Sequence, residues 1–429
     1  MIFVNVLHRR QRSMVSGALF SLALLLAMPA RADTLTLERA WQLAEENNPQ
    51  LRSTRAAVDA AEGELADSRG LLWNNPQLFA ERRRREVPQP PDPGRTDREW
   101  TVGLSQTFEI AGQQGARKSA AEQSLAATQA VIAETRRQLR AEVEIRFVRV
   151  LSLQQRIGTE EQTVKLIEDA AAAVGKRVAA GEDSRLDGNL AKVEAERARN
   201  QVAALREQLV QARAELASTL QLPAATLPEV EGTLDRDAPY TLDELMAAAQ
   251  QRSLLRVLDH REAAAKSRLD LERAAVYPDV TLGLGTSREG PAGTQDKITG
   301  LSISLPLPLF RRNATGIGRA STEFTQAQIE KQAANRDVRA QVTALWQQLE
   351  NLQSRVKRLS ESVLPGLGEN QRLSVLSFRA GEIGLLQLLL VNRQVLDGQR
   401  DLLDARTDLR LTQVALEAAA GWQPSPIQH

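Results

Sequence analysis

Three stretches of the chain alternate apolar and small polar positions with period two. Trp100, Val102 and Leu104 alternate with Thr101, Gly103 and Ser105. Val280, Leu282 and Leu284 alternate with Thr281, Gly283 and Gly285, and Leu301, Ile303 and Leu305 with Ser302 and Ser304. Such alternation predicts strands with one greasy face, which fits a lipid-facing barrel wall or a half-buried sheet. A fourth strand near Gln77 to Arg85 is weaker, because Arg82 to Arg85 interrupts it. Glu86 to Glu99 and Arg288 to Lys297 are polar and carry Pro or Gly, so they read as loops between the strands.

Elsewhere Ala, Leu, Glu, Gln and Arg dominate, the good helix formers. Helices are expected over about 36–72, 113–179, 185–221, 241–275, 315–379 and 384–420. Thr36 is placed to cap the first, Gly181 to end the second and Ser184 to cap the third. Pro365 predicts a kink. The helix at 113–179 would be about 100 Å long, and two flanking helices laid end to end about 110 Å. Two short helices in line therefore match one long helix beside them, in a rod-like helical layer.

This order of elements is written twice. Thr36-Leu37-Glu38 recurs as Thr241-Leu242-Asp243, Gly103-Leu104-Ser105 as Gly300-Leu301-Ser302, and Ala180-Gly181-Glu182 as Ala380-Gly381-Glu382. Asn75-Pro76-Gln77-Leu78 recurs loosely as Tyr277-Pro278-Asp279-Val280. The repeats span 33–221 and 241–422, and the Pro-rich stretch 222–240 between them reads as an exposed linker. Residues 423–429 form a C-terminal tail.

Composition narrows the function classes. The 429 residues contain no cysteine, three histidines, 47 arginines and 8 lysines, and aromatics make up 3%. A disulfide scaffold, a cysteine-ligated metal centre and a cysteine hydrolase are excluded. A formal charge of +1 gives no support for nucleic-acid binding. Residues 1–32 read as a secretory signal peptide: Arg9, Arg10 and Arg12 lead an apolar stretch from Gly17 to Met28, and Ala30-Arg31-Ala32 ends before Asp33. Without that segment the charge is −3. With no cysteine after the signal, a lipid anchor on cysteine is not expected. After residue 32 no run of about 18 apolar residues occurs, so a membrane would be entered as strands rather than helices.

Four strands do not close a membrane barrel, which needs about eight or more, and an open edge in lipid leaves backbone groups unsatisfied. Several chains must then pool their strands. Three chains would give twelve strands and twelve helical positions, a wall about 120 Å around at about 10 Å per helix. The strand count favours pooling without forcing three over two or four.

Taken together, this pattern resembles the TolC-like outer membrane factors over essentially the whole chain after the signal. Arg177, Gly181, Ser184, Leu186 and Asp187 look like that family's hairpin motif R-x-x-x-G-x-x-S-x-x-D. Phe378-Arg379-Ala380-Gly381-Glu382 repeats it less well, with Gln387 where Asp187 stands in the first copy. Gly103-Leu104-Ser105-Gln106-Thr107-Phe108-Glu109 with Gly112 and Arg117 is similar to the cobalt–zinc–cadmium branch. The resemblance implies a mainly α protein with a membrane β-barrel part, a homotrimeric α-barrel carrying a shared 12-stranded barrel. It implies the exit duct of a tripartite pump for divalent heavy metals, with a proton-driven RND-type transporter in the inner membrane and a periplasmic adapter. The turns at Gly181 and Gly381, with Ser184 and Gly384, would lie farthest from the outer membrane and meet the adapter. Glu182, Asp183, Asp187 and Glu382 would form an acidic constriction near the threefold axis, since rings of acids favour cations in pores.

No catalytic constellation stands beside this. His260 lies among Asp259, Arg261 and Glu262 on a helix and reads as a solvated face residue. Gly283-x-Gly285 lacks a third glycine and sits in a strand, unlike a nucleotide loop. No cofactor and no resident metal are expected, so a metal cargo would be passed rather than held. Arg82 to Arg85 reads as a solvated edge that could also reach outer-leaflet phosphates. The alternatives are a periplasmic adapter, which would need β-rich domains around one hairpin, an outer membrane factor for organic compounds, and a plain coiled-coil rod.

Overall fold

A computed structural model describes residues 34–223 and 225–422. The expected signal peptide, its cleavage point before Asp33 and the tail 423–429 lie outside the described residues. Thr36 caps α1 (Leu37–Asn47), its side-chain oxygen accepting the Arg39 N–H at 3.3 Å. The single helix expected over 36–72 is broken. Pro49 disfavours helical geometry at Asn48, which sits at φ −62°, ψ 122° and caps α2 (Pro49–Ser68) by accepting from the Leu51 N–H at 3.0 Å. The second copy breaks at the corresponding place, giving α5 (Leu242–Gln250), opened by a Thr241–Glu244 capping box, and α6 (Ser253–Ala274).

The long helix α3 (Gln113–Ala180) has 68 residues, about 100 Å at 1.5 Å per residue, and turns at Gly181 into α4 (Arg185–Thr219). Its counterpart is interrupted. α7 (Ala314–Arg358) passes through a π-turn, Leu359–Val363, before α8 (Leu364–Arg379) and α9 (Leu385–Ala420). Pro365 has no N–H to give the preceding turn, so the backbone widens just where the kink was expected.

α3 is the central helix. α2 and α4 pack on it, α6 and α9 also pack on it, and α7 packs against α6 and α9. The stacking of short helices beside a long one is as the lengths implied. The core is built from Leu51, Val143, Val150, Leu216 and Leu220 in the first half and Leu245, Val342, Leu349 and Leu416 in the second. The stretch 222–240 is not a free linker: Val230 and Leu234 are buried, and Val230 pairs with Leu35 in a parallel bridge. Pro-rich composition marked irregular backbone correctly but said nothing of the two apolar side chains that pin it to the core.

The strands β1 (Gln77–Gln89), β2 (Asp92–Phe108), β3 (Val280–Glu289) and β4 (Asp296–Ser304) form one antiparallel sheet in chain order. Two expectations are corrected here. Arg82 to Arg85 does not interrupt β1, and Glu86 to Glu99 is no loop, because the hairpin continues to Gln89 and Asp92. Charged residues sustain a strand when partners stand beside or opposite them: Arg83 pairs with Glu81 at 3.0 Å, Arg84 with Glu86 at 3.3 Å and Arg85 with Glu99 at 3.7 Å. Likewise Arg288, Glu289, Asp296 and Lys297 lie in paired strand, while Leu305 falls just beyond β4.

Candidate conduit: strand wall and hairpin tips

The register brings Leu78, Leu104, Leu284 and Leu301 into one row across all four strands. Their side chains are 51–76% exposed, so this apolar face is turned outward rather than into a core. Leu282 and Ile303 extend it by one row. The opposite pleat face carries Gly103, Gly285 and Gly300 in a row with Phe79. The Phe79 ring lies where a Cβ on Gly103 would stand, so a larger residue at 103 would have to displace the ring. A greasy face left open to the surroundings beside a small, polar inner face is what a lipid-facing wall requires. β1 and β4 each have one unpaired edge among the described residues. Where the strands meet the helices, Leu71, Trp73, Ile110, Tyr277, Leu307 and Phe310 are exposed. Among the described residues no helix is long and apolar enough to cross a membrane.

At the other end of the helices, the first tip explains its own sequence. Gly181 has φ 77°, a left-handed conformation that glycine adopts freely. The Glu182 N–H donates to the Arg177 carbonyl at 2.9 Å and the Gly181 N–H to the Val178 carbonyl at 3.1 Å, closing the helix end. The Arg177 guanidinium binds Asp183 at 3.0 Å and Glu182 at 3.8 Å, and stands 5.6 Å from the Phe378 ring centre of the second tip. Ser184 accepts the Asp187 N–H at 3.1 Å and its hydroxyl donates to the Asp187 carboxylate at 2.7 Å. The second tip repeats the turn, with Gly381 at φ 77° and the Glu382 N–H donating to the Ser377 carbonyl at 2.9 Å. There Gly384 opens α9 with no side-chain cap. Below the turns, Val174, Ala191 and Leu385 form a small core holding the two hairpins together.

The structure thus gathers Arg177, Gly181, Glu182, Asp183, Ser184 and Asp187 in one turn and sets Gly381, Glu382 and Gly384 in the other. Leu186 is 67% exposed and Leu386 74%, matching outward positions on the two hairpins. Within one chain Asp183 and Asp187 are held by Arg177 and Ser184, while Glu182 keeps 65% of its side chain exposed. Glu109 and Arg117, quoted for the cobalt–zinc–cadmium resemblance, pair at 2.6 Å across the turn from β2 into α3, where Gly112 has φ 84°.

His260 departs from expectation. Its Nδ1 is 2.9 Å from Gln123 Oε1 on α3, so it sits half-buried at a helix interface. Among the described residues no group of three or more His, Cys, Asp or Glu is arranged to hold a metal ion.

Sequence reasoning missed a buried charge network where the two repeats meet. Glu144 on α3 pairs with Arg410 on α9. Arg236 lies 3.7 Å from Glu144 and 3.5 Å from Glu417, and the Tyr240 hydroxyl donates to Glu417 at 3.3 Å. Burial pushes the Glu144 and Glu417 carboxyls above the usual carboxylate range, against the pull of Arg410 and Arg236. No local signal marks it: Arg410 and Glu417 share their helical stripe with Arg406, Thr407 and Gln413, the pattern of a solvated face.

These features define an outer-membrane channel chain: open-edged strands with an outward apolar face, carried on long helical hairpins. Comparison with known proteins agrees. The Outer membrane efflux protein family model matches residues 40–220 and again 245–422, so the chain belongs to that family. It is 30% identical over 385 residues to the cobalt-zinc-cadmium resistance protein CzcC of Cupriavidus metallidurans, covering 87% of this chain and 85% of that one. Among solved structures, the outer membrane protein VceC of Vibrio cholerae superposes with a TM-score of 0.75 at 19% identity, over 90% of this chain and 97% of that one. A membrane protein from Pseudomonas aeruginosa gives 0.75 at 22% identity, over 92% of each chain. The family match removes the adapter and coiled-coil alternatives.

Proposed function

We propose that the chain, after loss of a signal peptide before Asp33, forms a homotrimer that is the outer-membrane exit duct of a tripartite pump for divalent heavy-metal cations. Twelve pooled strands close a barrel in the outer membrane, and the helices line a periplasmic duct ending at the two tips. A periplasmic adapter docks there and an inner-membrane RND-type transporter supplies the energy. The observation that carries this is the four-stranded sheet with an outward apolar face and two unpaired edges, which in lipid demands neighbouring copies. The metal cargo is supported by the resistance proteins of similar sequence, named for cobalt, zinc and cadmium, or nickel, cobalt and cadmium.

Crosslinking in mild detergent should stop at three chains, and cells carrying the intact pump operon should lose zinc, cobalt or cadmium tolerance when this chain is deleted. Restoration of tolerance to organic compounds alone would overturn the cargo. Cysteines at Ser184 or Gly384 should crosslink to the adapter, whereas crosslinking at Gly293 would invert the topology. The acidic constriction belongs to the same reading. Threefold repetition would set Glu182, Asp183, Asp187 and Glu382 around one axis, with Glu182 exposed but within reach of Arg177 and Glu382 exposed at the second turn. If Asp187→Asn with Glu182→Gln leaves cation-over-anion selectivity of single channels unchanged, these acids serve the turn alone.

A further inference from the structure

Beyond the apolar band, charge is sorted by the pleat. On the outward face the row after the leucines is Ala80, Val102, Thr286 and Thr299, and the next is Arg82, Trp100, Arg288 and Lys297. Arg84 and Arg98 follow as an opposed pair on the same face. The inward face of these strand ends holds the acids Glu81, Asp97, Glu99, Glu289 and Asp296, and the arginines on that face, Arg83, Arg85 and Arg95, are each paired with one of them. Exposure alternates accordingly: Arg98 and Trp100 are exposed while Asp97 and Glu99 are buried.

Five cations therefore stand on the outward face against one acid, Glu86, which pairs with Arg84 at 3.3 Å. Among the described residues Arg82, Arg98, Arg288 and Lys297 have no acidic side chain within salt-bridge distance, although acids are plentiful on the other pleat face. The Arg288 guanidinium stands 5.8 Å from the Trp100 ring centre, an aromatic–basic pairing suited to a membrane–water boundary.

The depth of the row fits a headgroup layer. From Phe108 to Trp100 is about 27 Å of strand at about 3.4 Å per residue. At the usual tilt of about 40° that is about 20 Å of height, close to an outer-membrane apolar band. The row lies toward the hairpin ends, away from the helices. Cations on the lipid side of that boundary face the headgroups of the outer leaflet, and guanidinium groups suit phosphate oxygens.

Resting on the barrel reading above, we propose that Arg82, Arg98, Arg288 and Lys297, set around Trp100, form a belt that binds phosphorylated lipid headgroups of the outer leaflet. The occupant is a lipid, not free phosphate, because the cations continue the apolar face that would hold acyl chains.

The test uses the purified full-length protein in bilayer nanodiscs doped with diphosphorylated lipid A, counting by mass spectrometry the lipid retained after washing. The variant Arg82→Gln/Arg98→Gln/Arg288→Gln/Lys297→Gln should retain at least about tenfold less, given about fivefold per cation near an anionic surface. Arg83→Gln/Arg85→Gln, on the other pleat face, should change retention less than about twofold. Dephosphorylated lipid A should not be retained, and millimolar inorganic phosphate should not displace the diphosphorylated form. Equal retention by belt variant and wild type, retention of the dephosphorylated lipid, or full displacement by inorganic phosphate would each overturn the belt. If the fourfold variant does not assemble, retention by the wild type must still fall between 50 and 500 mM salt, and a flat salt response overturns the proposal. Single-channel recording separates the two readings. Channels with unchanged conductance but unaltered lipid retention sink the belt alone, whereas a wild type that forms no channels sinks the duct.

Discussion

α4 and α9 can be compared position by position, because both follow a tip glycine and run at a constant offset of 200 residues. Leu216 and Leu416 are both fully buried. Val210 is 53% exposed, whereas its counterpart Arg410 is 4% exposed. Ala198 stands where α9 has Gly398, and Ser184 and Asp187 where α9 is preceded by Gly384 and carries Gln387. The difference follows position in the helical layer. α9 packs against α3, α7 and α8, while α4 packs chiefly against α3. A duplicated helix was thus fitted once to an interior place and once to an edge. At the edge an apolar Val210 is left open, and in the interior a charged Arg410 is met by Glu144.

That pairing offers the largest test. Arg410→Met leaves Glu144 buried without its main partner, which for a buried ion pair costs about 3–5 kcal/mol. Val210→Met, on the exposed edge, should stay within about 0.5 kcal/mol in the isolated chain. Thermal unfolding monitored by circular dichroism reads both. Equal shifts would mean that α4 and α9 occupy equivalent environments. The double substitution Glu144→Leu/Arg410→Met should recover most of the loss, since apolar replacements of a buried pair are commonly neutral or better.

Next in size is the closeness of α9 to α8. A Cβ on Gly398 would lie 2.6 Å from Leu367 Cδ1 and 3.3 Å from Leu364 Cδ2. The π-turn brings those leucines over Gly398, and the first hairpin, with no proline and no π-turn, accommodates Ala198. Gly398→Val is expected to destabilise by about 1–3 kcal/mol through overpacking, and Ala198→Val by less than about 0.5 kcal/mol. Leu367→Ala should soften the Gly398→Val effect; if it does not, the crowding lies elsewhere.

How far each feature is legible in the sequence follows the same contrasts. The tip was legible because Gly181, Ser184 and Asp187 act locally, through a left-handed turn and a cap within four residues. The lipid-side face was legible because period-two alternation needs only neighbours in sequence. β1 is hard to read because part of its Arg-rich half gains its partner from β2, as in Arg85 with Glu99, and cross-strand pairing has no local signature. The break at Asn48-Pro49 is signalled by Pro49 alone, inside a stretch whose composition is otherwise helical. The Glu144–Arg410 pair joins residues 266 apart and could not be read from either helix by itself.

Two buried carboxylates on α3 carry opposite pH signatures. At Glu134, burial raises the carboxyl, but hydrogen bonds and charge from Arg137 and Arg252 outweigh it, leaving it below its ordinary value. Its stabilising contribution is present above the ordinary glutamate value of about 4.3 and is lost as pH falls toward its lowered value. At Glu144 burial wins and the carboxyl lies above its ordinary value. The folded chain then holds that proton more tightly than the unfolded one, so this contribution is full below about 4.3 and shrinks as pH rises toward the folded value. Glu144→Gln should therefore flatten the melting temperature profile on the alkaline side of about 4.3, and Glu134→Gln on the acid side. Identical profiles for the two variants would contradict the difference in their surroundings.

The smallest effect concerns the caps. Ser184 accepts the Asp187 N–H at 3.1 Å, satisfying a donor at the first turn of α4, whereas Gly384 leaves the first turn of α9 without a side-chain acceptor. A serine cap exceeds glycine by only a few tenths of a kcal/mol, and exceeds alanine by about 1 kcal/mol. Gly384→Ser should therefore add a few tenths, Ser184→Gly should remove as much, and Ser184→Ala should remove about 1 kcal/mol. Gly384 sits at φ −81°, ψ 168°, ordinary extended backbone that serine adopts without strain. Hydrogen exchange of the first-turn amides is the sensitive measurement, since fraying there precedes global unfolding. In Gly384→Ser the Gln387 amide should gain protection toward that of Asp187 in the first hairpin. If it gains none while Ser184→Ala loses protection at Asp187, the two turns differ in backbone geometry and not merely in the residue that caps them.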